Sequence, residues 1–363
     1  DQCMEEGAGG FSSGLEYFPG SLAAPDHLVP MVEVAAKYGR LYATHVRNRD
    51  TEYDLGFTEA MSTARQAGAR LQISHIQPKF GAPDHAMEHT LEMIDIARTH
   101  DGDIAFDVIP HDWNHTLMAA ILPKWAQAGG IDDVLKRLAD PEMRERIKAN
   151  PKPMWLIVKA RKWSDIVLLN ATINKDIVGA NFEEIGRMRD VDPYDAVLDI
   201  LLEEGDNLMS VMWSSKSFMN ADIDLCLQQA ECAVISDTVA IANDGVLKDH
   251  IGSLSGYGWA ARFLQFYVRD RAVLSLAEGL AKITSIPAQR LGLKDRGKLR
   301  VGFHADICVF DPASIASNVT ARNPRRYATG IAHVLVNGAL SMRNGMRTDS
   351  NAGRVVRDFR VMG

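Results

Sequence analysis

Two histidines, His45 and His75, sit in the short apolar-led segments LYATHVRN and LQISHIQP, and they stand 30 residues apart with a helix-like stretch between them. A neutral imidazole offers a lone pair, so two rings held side by side are donors for a transition metal. The interval matches one strand-plus-helix repeat of a (β/α)₈ barrel, in which roughly 250 residues are shared among eight units. Successive strands in register would bring both rings to the same rim, about 5 Å apart by strand spacing. For either histidine alone, a helix N-cap or a buried core residue reads equally well. The pair in register points to metal.

The elements that must position these rings follow from hydrophobic period. Gly10 to Leu15 resembles a strand end, Leu28, Met31, Val32 and Ala35 form a helical stripe, and Leu41 to Thr44 reads as a strand. Leu55, Ala60, Met61 and Ala64 then mark a helix stopped by Gly68. Leu71 to Ser74 is a strand, Met87 to Ala97 a helix, and Ile104 to Ile109 a strand. Strict alternation of strand and helix implies a parallel sheet. From about Asp112 to Asp206 the pattern turns to helical stretches broken by Pro151, Pro153 and Pro193, which predicts an insertion on the barrel rim, placed to cover the site as a lid. The β/α rhythm is expected to resume at Ser210 to Trp213 and again at Ala233 to Ser236. Ser275 and Glu278 have capping-box spacing ahead of a helix through Ile283, with Pro287 shortly after it. Beyond Gly297 the texture is all-β: ADICVF, HVLVNG with Asn337-Gly338 as a type I′ turn signal, and GRVVRDFRV.

The predicted fold class is therefore α/β: a (β/α)₈ TIM-like barrel with a rim insertion and a small C-terminal β-sheet domain. Its divisions fall at 1–111 (barrel with the histidines), 112–207 (insertion), 208–296 (end of barrel) and 297–363 (small β-domain). The small sheet needs partner strands, and none are offered before Asp1.

With 363 residues, 46% of them hydrophobic, the chain can bury a large core and more than one domain. A net charge of −7 leaves no basic footprint for nucleic acid or anionic membranes. No apolar run approaches about 18 residues and no basic-then-apolar leader is visible in DQCMEEGAGG, an opening without an initiator Met that reads as mid-protein sequence and leaves secretion open. Cys3, Cys226, Cys232 and Cys308 show no CxxC pairing and read as reduced, cytoplasmic thiols, with Cys226 and Cys232 in apolar surroundings suited to small core residues and Cys3 expected to be a buried small residue in a helix. The oligomeric state is open, and a homo-oligomer is compatible with everything read here.

FSSGLEYFPG, YATHVRN, QISHIQ, VISDT, TSIPAQRLGLKDRGKLRVGFHADICVFDP and HVLVNG together resemble the N-acyl-D-amino-acid deacylases (D-aminoacylases) of the amidohydrolase superfamily. The likeness runs over nearly the whole chain and is weakest between about Asp112 and Asn207. It implies that His45 and His75 bind Zn²⁺, with one or two divalent ions in all. It also implies that an aspartate ending the last barrel strand acts as base and can ligate a second metal. Asp237, after AVIS, matches the family's Ser-Asp pair, and Asp244 follows VAIAN. Asp237 is preferred because the stretch to Leu247 then reads like the family's loop, whereas Asn-Asp-Gly at 243–245 is a common turn sequence. The superfamily's His-x-His pair and this family's cysteine are both missing. We therefore expect this chain to lack the N-terminal part of its protein, including the first barrel strands.

The implied reaction is hydrolysis of an N-acyl amino acid or related small amide. A cyclic-amide hydrolase or deaminase on the same scaffold, or a non-catalytic scaffold subunit with an incomplete metal centre, is the alternative. Where the family grips the substrate carboxylate with a lysine and an arginine, this chain has Gln77 and Ser255. Lys79 and Arg47 are the cations expected to substitute, and His111 follows a strand end as a candidate substrate contact. Glu16 reads as an acid behind a ligand or against substrate, or equally as a turn carboxylate.

Overall fold

The computed structural model describes residues 1–363 except Phe18, 151–153, 249–252, 358 and 360–363. Pro151 and Pro153 lie outside the described residues, as does part of the run GRVVRDFRV. Its described positions 353–357 and 359 form no strand.

Five strands build the main sheet: β1 (Gly10–Gly14), β2 (Leu41–His45), β3 (Arg70–Ile73), β4 (Ile104–Val108) and, beyond the insertion, β8 (Cys232–Val234). They lie in the order β1-β2-β3-β4-β8, and every neighbouring pair is parallel. Among the described residues this is an open arc, not a closed barrel of eight. Helices Pro25–Lys37, Tyr53–Ala67 and Ala86–Arg98 form the crossovers at the positions their apolar stripes predict. Because helices cover such a sheet, its strands read as continuous apolar runs, and all five residues of β4 are buried. The core joins Tyr42, Phe57, Leu71, Ile73 and Phe106 to Phe263 and Tyr267 from the C-terminal helices.

The insertion differs from expectation. Beside its helices it contains an antiparallel sheet in the order β5-β7-β6, from β5 (Trp113–Leu117), β6 (Ile166–Asn170) and β7 (Met212–Lys216). The run at Ser210–Trp213 is thus no return of the β/α rhythm: β7 pairs antiparallel with β5, Leu117 opposite Met212, and with β6. The insertion's sheet consequently runs past residue 207. Its own core gathers Trp155, Trp163, Phe182 and Trp213.

In the C-terminal unit β9 (Ile307–Phe310), β10 (Ile331–Val336), β11 (Ala339–Arg343) and β12 (Met346–Arg347) form an antiparallel sheet. Asn337 at φ 48° and Gly338 at φ 83° make the left-handed pair that a type I′ turn requires. The Ser275–Glu278 capping box is formed, with Ser275 N–H donating to Glu278 at 2.8 Å. Pro287, however, lies inside the next helix, Ser285–Leu291, in its first turn, where a missing N–H costs nothing. Cys226 and Cys232 are buried as expected, but Cys3 is exposed on a four-residue helix. Among the described residues no helix is long and apolar enough to cross a membrane.

Candidate functional site

His45 ends β2 and is level with Gly14 of β1, while Thr44 is level with Ile73 of β3. Register alone would therefore set Ser74, not His75, beside His45. The chain corrects this one-residue offset by turning at His75 into the left-handed region, φ 37°, with its backbone N–H held by Asp107 Oδ1 at 2.6 Å. A non-glycine residue there stores strain that its surroundings must hold. The result is a near-perpendicular pair of rings, His45 Nδ1 lying 3.0 Å from His75 Nε2.

Behind His45 stands Glu16, whose Oε2 accepts from His45 Nε2–H at 2.8 Å. Burial alone would raise this carboxyl, but Lys79 and His45 beside it hold it down to about 2. Burial also lowers both histidines, His75 the further, with the Arg49 guanidinium adding to the effect. Both rings are thus neutral. Since Glu16 fixes the His45 proton on Nε2, Nδ1 presents a lone pair to His75. Burial pushes Asp107 up to about 7 despite its bonds from His75 N–H and Gln72.

Asp237 arrives three residues past the end of β8, also left-handed at φ 49°, with Oδ2 3.9 Å from His75 Nε2 and the same distance from His115 Nε2. His115, on β5 of the insertion, donates from Nε2 to the Asp237 carbonyl at 2.5 Å. These groups line a cavity of about 330 Å³ with Tyr17 and, from the insertion, Thr116, Leu117, Ala119, Ala120, Gln127 and Met209. A larger groove of about 700 Å³ between helices Tyr53–Ala67 and Ala86–Arg98 contains none of them.

The other expected residues lie elsewhere. Asp244 is exposed and paired with Arg347 at 2.7 Å. Arg47 is committed to Glu59 and to the carbonyls of Ser21 and Ala23. Gln77 is fully buried on the backbone of Ile109, and Ser255 is buried with its N–H on Ser253. Lys79 is buried on Glu16, away from the cavity lining. His111 accepts from Trp113 N–H and sits 3.1 Å from Asp112 instead of facing the cavity. Sequence reasoning missed His115, Tyr17, Asp107 and Arg49, the last buried with its guanidinium on the carbonyls of His75 and Gln77. Only His115 had a readable signal, the alternation WNHTL of a short strand.

The donor chemistry suits a divalent transition ion: two neutral nitrogens converging within 3.0 Å, a carboxylate standing off at 3.9 Å, and a second carboxylate orienting one ring. Among the described residues, no group of three or more histidine, cysteine, aspartate or glutamate side chains is drawn close enough to hold a metal ion. The nitrogens are in place, and the oxygen is not.

A family model described as the amidohydrolase family matches residues 237–341. The N-acyl-D-glutamate deacylase of Alcaligenes xylosoxydans xylosoxydans is 29% identical over 335 residues, covering 92% of this chain and 58% of its own length. The D-aminoacylase of the same organism is 26% identical over 360 residues, covering 98% and 63%. The crystal structure of N-acyl-D-glutamate deacylase from Bordetella bronchiseptica, complexed with zinc and a phosphonate mimic of the tetrahedral intermediate, superposes with a TM-score of 0.75 at 25% identity, over 98% of this chain and 64% of that one. The chain thus spans about 60% of the length of the curated relatives it matches.

Proposed function

We propose, from the similarity of this chain to the D-aminoacylases (N-acyl-D-amino-acid deacylases) of the amidohydrolase superfamily, that the full protein is a metal-dependent amidohydrolase cleaving an N-acyl amino acid or related small amide. The observation that carries this reading is the meeting of His45, His75 and Asp237 in one cavity at the C-terminal ends of parallel strands, the face where barrel active sites lie.

His45 Nδ1, His75 Nε2 and Asp237 would hold the ion, zinc by the donor set and by the zinc in the Bordetella relative. Bound there, a divalent metal supplies carbonyl polarisation and a lowered water pKa. Glu16 keeps the His45 proton on Nε2, so the nitrogen facing the cavity stays a donor. Asp237 takes a proton from the attacking water and delivers it to the departing nitrogen, because C–N cleavage needs a protonated leaving group. His115 holds the Asp237 carbonyl and so fixes where the carboxylate stands.

Substrate preference follows from the walls. Leu117, Ala119, Ala120 and Met209 offer an apolar surface, while Lys79 and Arg47 are engaged with carboxylates of this chain. By the family resemblance, Gln77 and Ser255 stand where carboxylate-binding cations are expected. Two missing charge-assisted contacts, each about 1.5–3 kcal/mol, disfavour a free carboxylate by at least roughly 100-fold in kcat/KM. Assaying N-acyl-D-amino acids against their C-terminal amides on the full-length protein tests this. We expect the amides to be preferred, and preference for the free acids would contradict it.

A further inference from the structure

We propose that Lys79 is a positioning residue that ties the insertion to the carboxylate behind His45, so that one buried ammonium sets both the His45 ring and the insertion's wall of the cavity. Its effect on turnover rests on the hydrolytic reading above; the joint itself rests on geometry alone.

Lys79 is 4% exposed, and a buried ammonium persists only where partners replace its water. Its partners come from both sides of a boundary. From the loops that follow β1 and β2 come the Glu16 carboxylate and Asp50 Oδ2 at 3.7 Å. The insertion supplies the Met154 carbonyl at 3.2 Å and the Trp155 ring, whose centroid is 4.4 Å away. Glu16 uses its other oxygen on His45.

The backbone around Lys79 is shaped for the same contact. Its N–H donates to the Arg49 carbonyl at 2.7 Å, pinning the loop to the segment after His45. Gly81 adopts φ 94°, and a Cβ there would come within 2.4 Å of Leu156 Cδ1. The loop therefore presses its bare backbone onto the insertion's helix Leu156–Lys159. Beyond Lys79 the contacts continue: Trp155 meets Trp213 edge-on at 5.3 Å, and Trp213 Nε1–H donates to the carbonyl of Leu117 at 3.1 Å. Leu117 lines the cavity on the same strand as His115. A continuous series of packed and hydrogen-bonded groups thus runs from Glu16 on one side of the cavity to His115 on the other.

Lys79→Met keeps the stem and removes the charge, and Lys79→Arg restores a cation. In full-length Lys79→Met we expect amide exchange at 154–159 and at 113–117 to rise about tenfold. Zinc affinity, read by equilibrium dialysis, should fall about 10–100-fold. Lys79→Arg should recover part of both, and Glu16→Gln should loosen 154–159 from the other end. Wild-type exchange and zinc affinity in Lys79→Met would overturn the proposal. Should Lys79→Met lose its cooperative thermal transition, Glu16→Gln decides: unchanged exchange at 154–159 overturns it. If exchange responds to Lys79→Met while the wild-type protein hydrolyses none of the amide panel, the hydrolytic reading falls and the joint stands.

Discussion

Asp237 and Asp244 are the same carboxylate on the same loop, and partners separate them: one faces His75 and His115, the other an exposed arginine. We expect Asp237→Asn to lower kcat about 10²–10⁴-fold, the range of a lost proton-transfer group, with thermal unfolding unchanged. Asp244→Asn should turn over normally, since an exposed ion pair contributes little. Reversal of the two in a kcat assay would move the base to Asp244. At this scale the sequence is informative about groups and silent about engagements. A strand-end histidine is visible in ATHV and SHI, but the one-residue offset that turns His75 left-handed depends on which residues of β2 and β3 pair. Lys79 and Arg47 look like available cations because a sequence displays charge and hides the buried carboxylate beside it.

Among the elements, those placed correctly were those whose period decides both type and partner. The crossover helices and β2, β3 and β4 alternate too regularly to pair otherwise. β7 was legible as a strand but not as a member of the insertion, because its partners are fixed by tertiary pairing, β5 across about a hundred residues and β6 across about 45. The insertion's stability is testable at its carboxylate clasp. Glu204, buried after helix Pro193–Glu203, accepts from the N–H groups of Thr172, Ile173 and Asn174 at 2.9 Å each. Burial would raise its carboxyl, but those backbone bonds outweigh burial and lower it. A depressed folded-state pKa gives stability that is present above the unfolded value, near 4.5, and lost as pH falls through the folded one. Glu204→Gln should therefore lower the unfolding temperature at pH 7, by the equivalent of roughly 1–3 kcal/mol, with the gap to wild type closing below pH 4.5. A gap that stays constant from pH 7 to 3 would show that the clasp does not act through its charge.

The molecule as a whole places two nitrogens from an open parallel sheet, one aspartate after its last strand and one histidine from the insertion around a single cavity. Fold class and the histidine pair were readable because strand-helix alternation is a local property repeated along the chain. The cavity's far wall was not, because it belongs to a strand expected to be helix and loop. The central claim is that this cavity is a metal-dependent hydrolytic centre, and metal-titrated hydrolysis in the full-length protein tests it most directly. Chelation should abolish amide hydrolysis in wild type, and stoichiometric zinc should restore it. The same zinc should fail to restore it in His45→Ala or His75→Ala, with both variants binding zinc at least 10-fold more weakly. Hydrolysis that survives chelation, or zinc rescue of His75→Ala to wild-type turnover, would contradict the account.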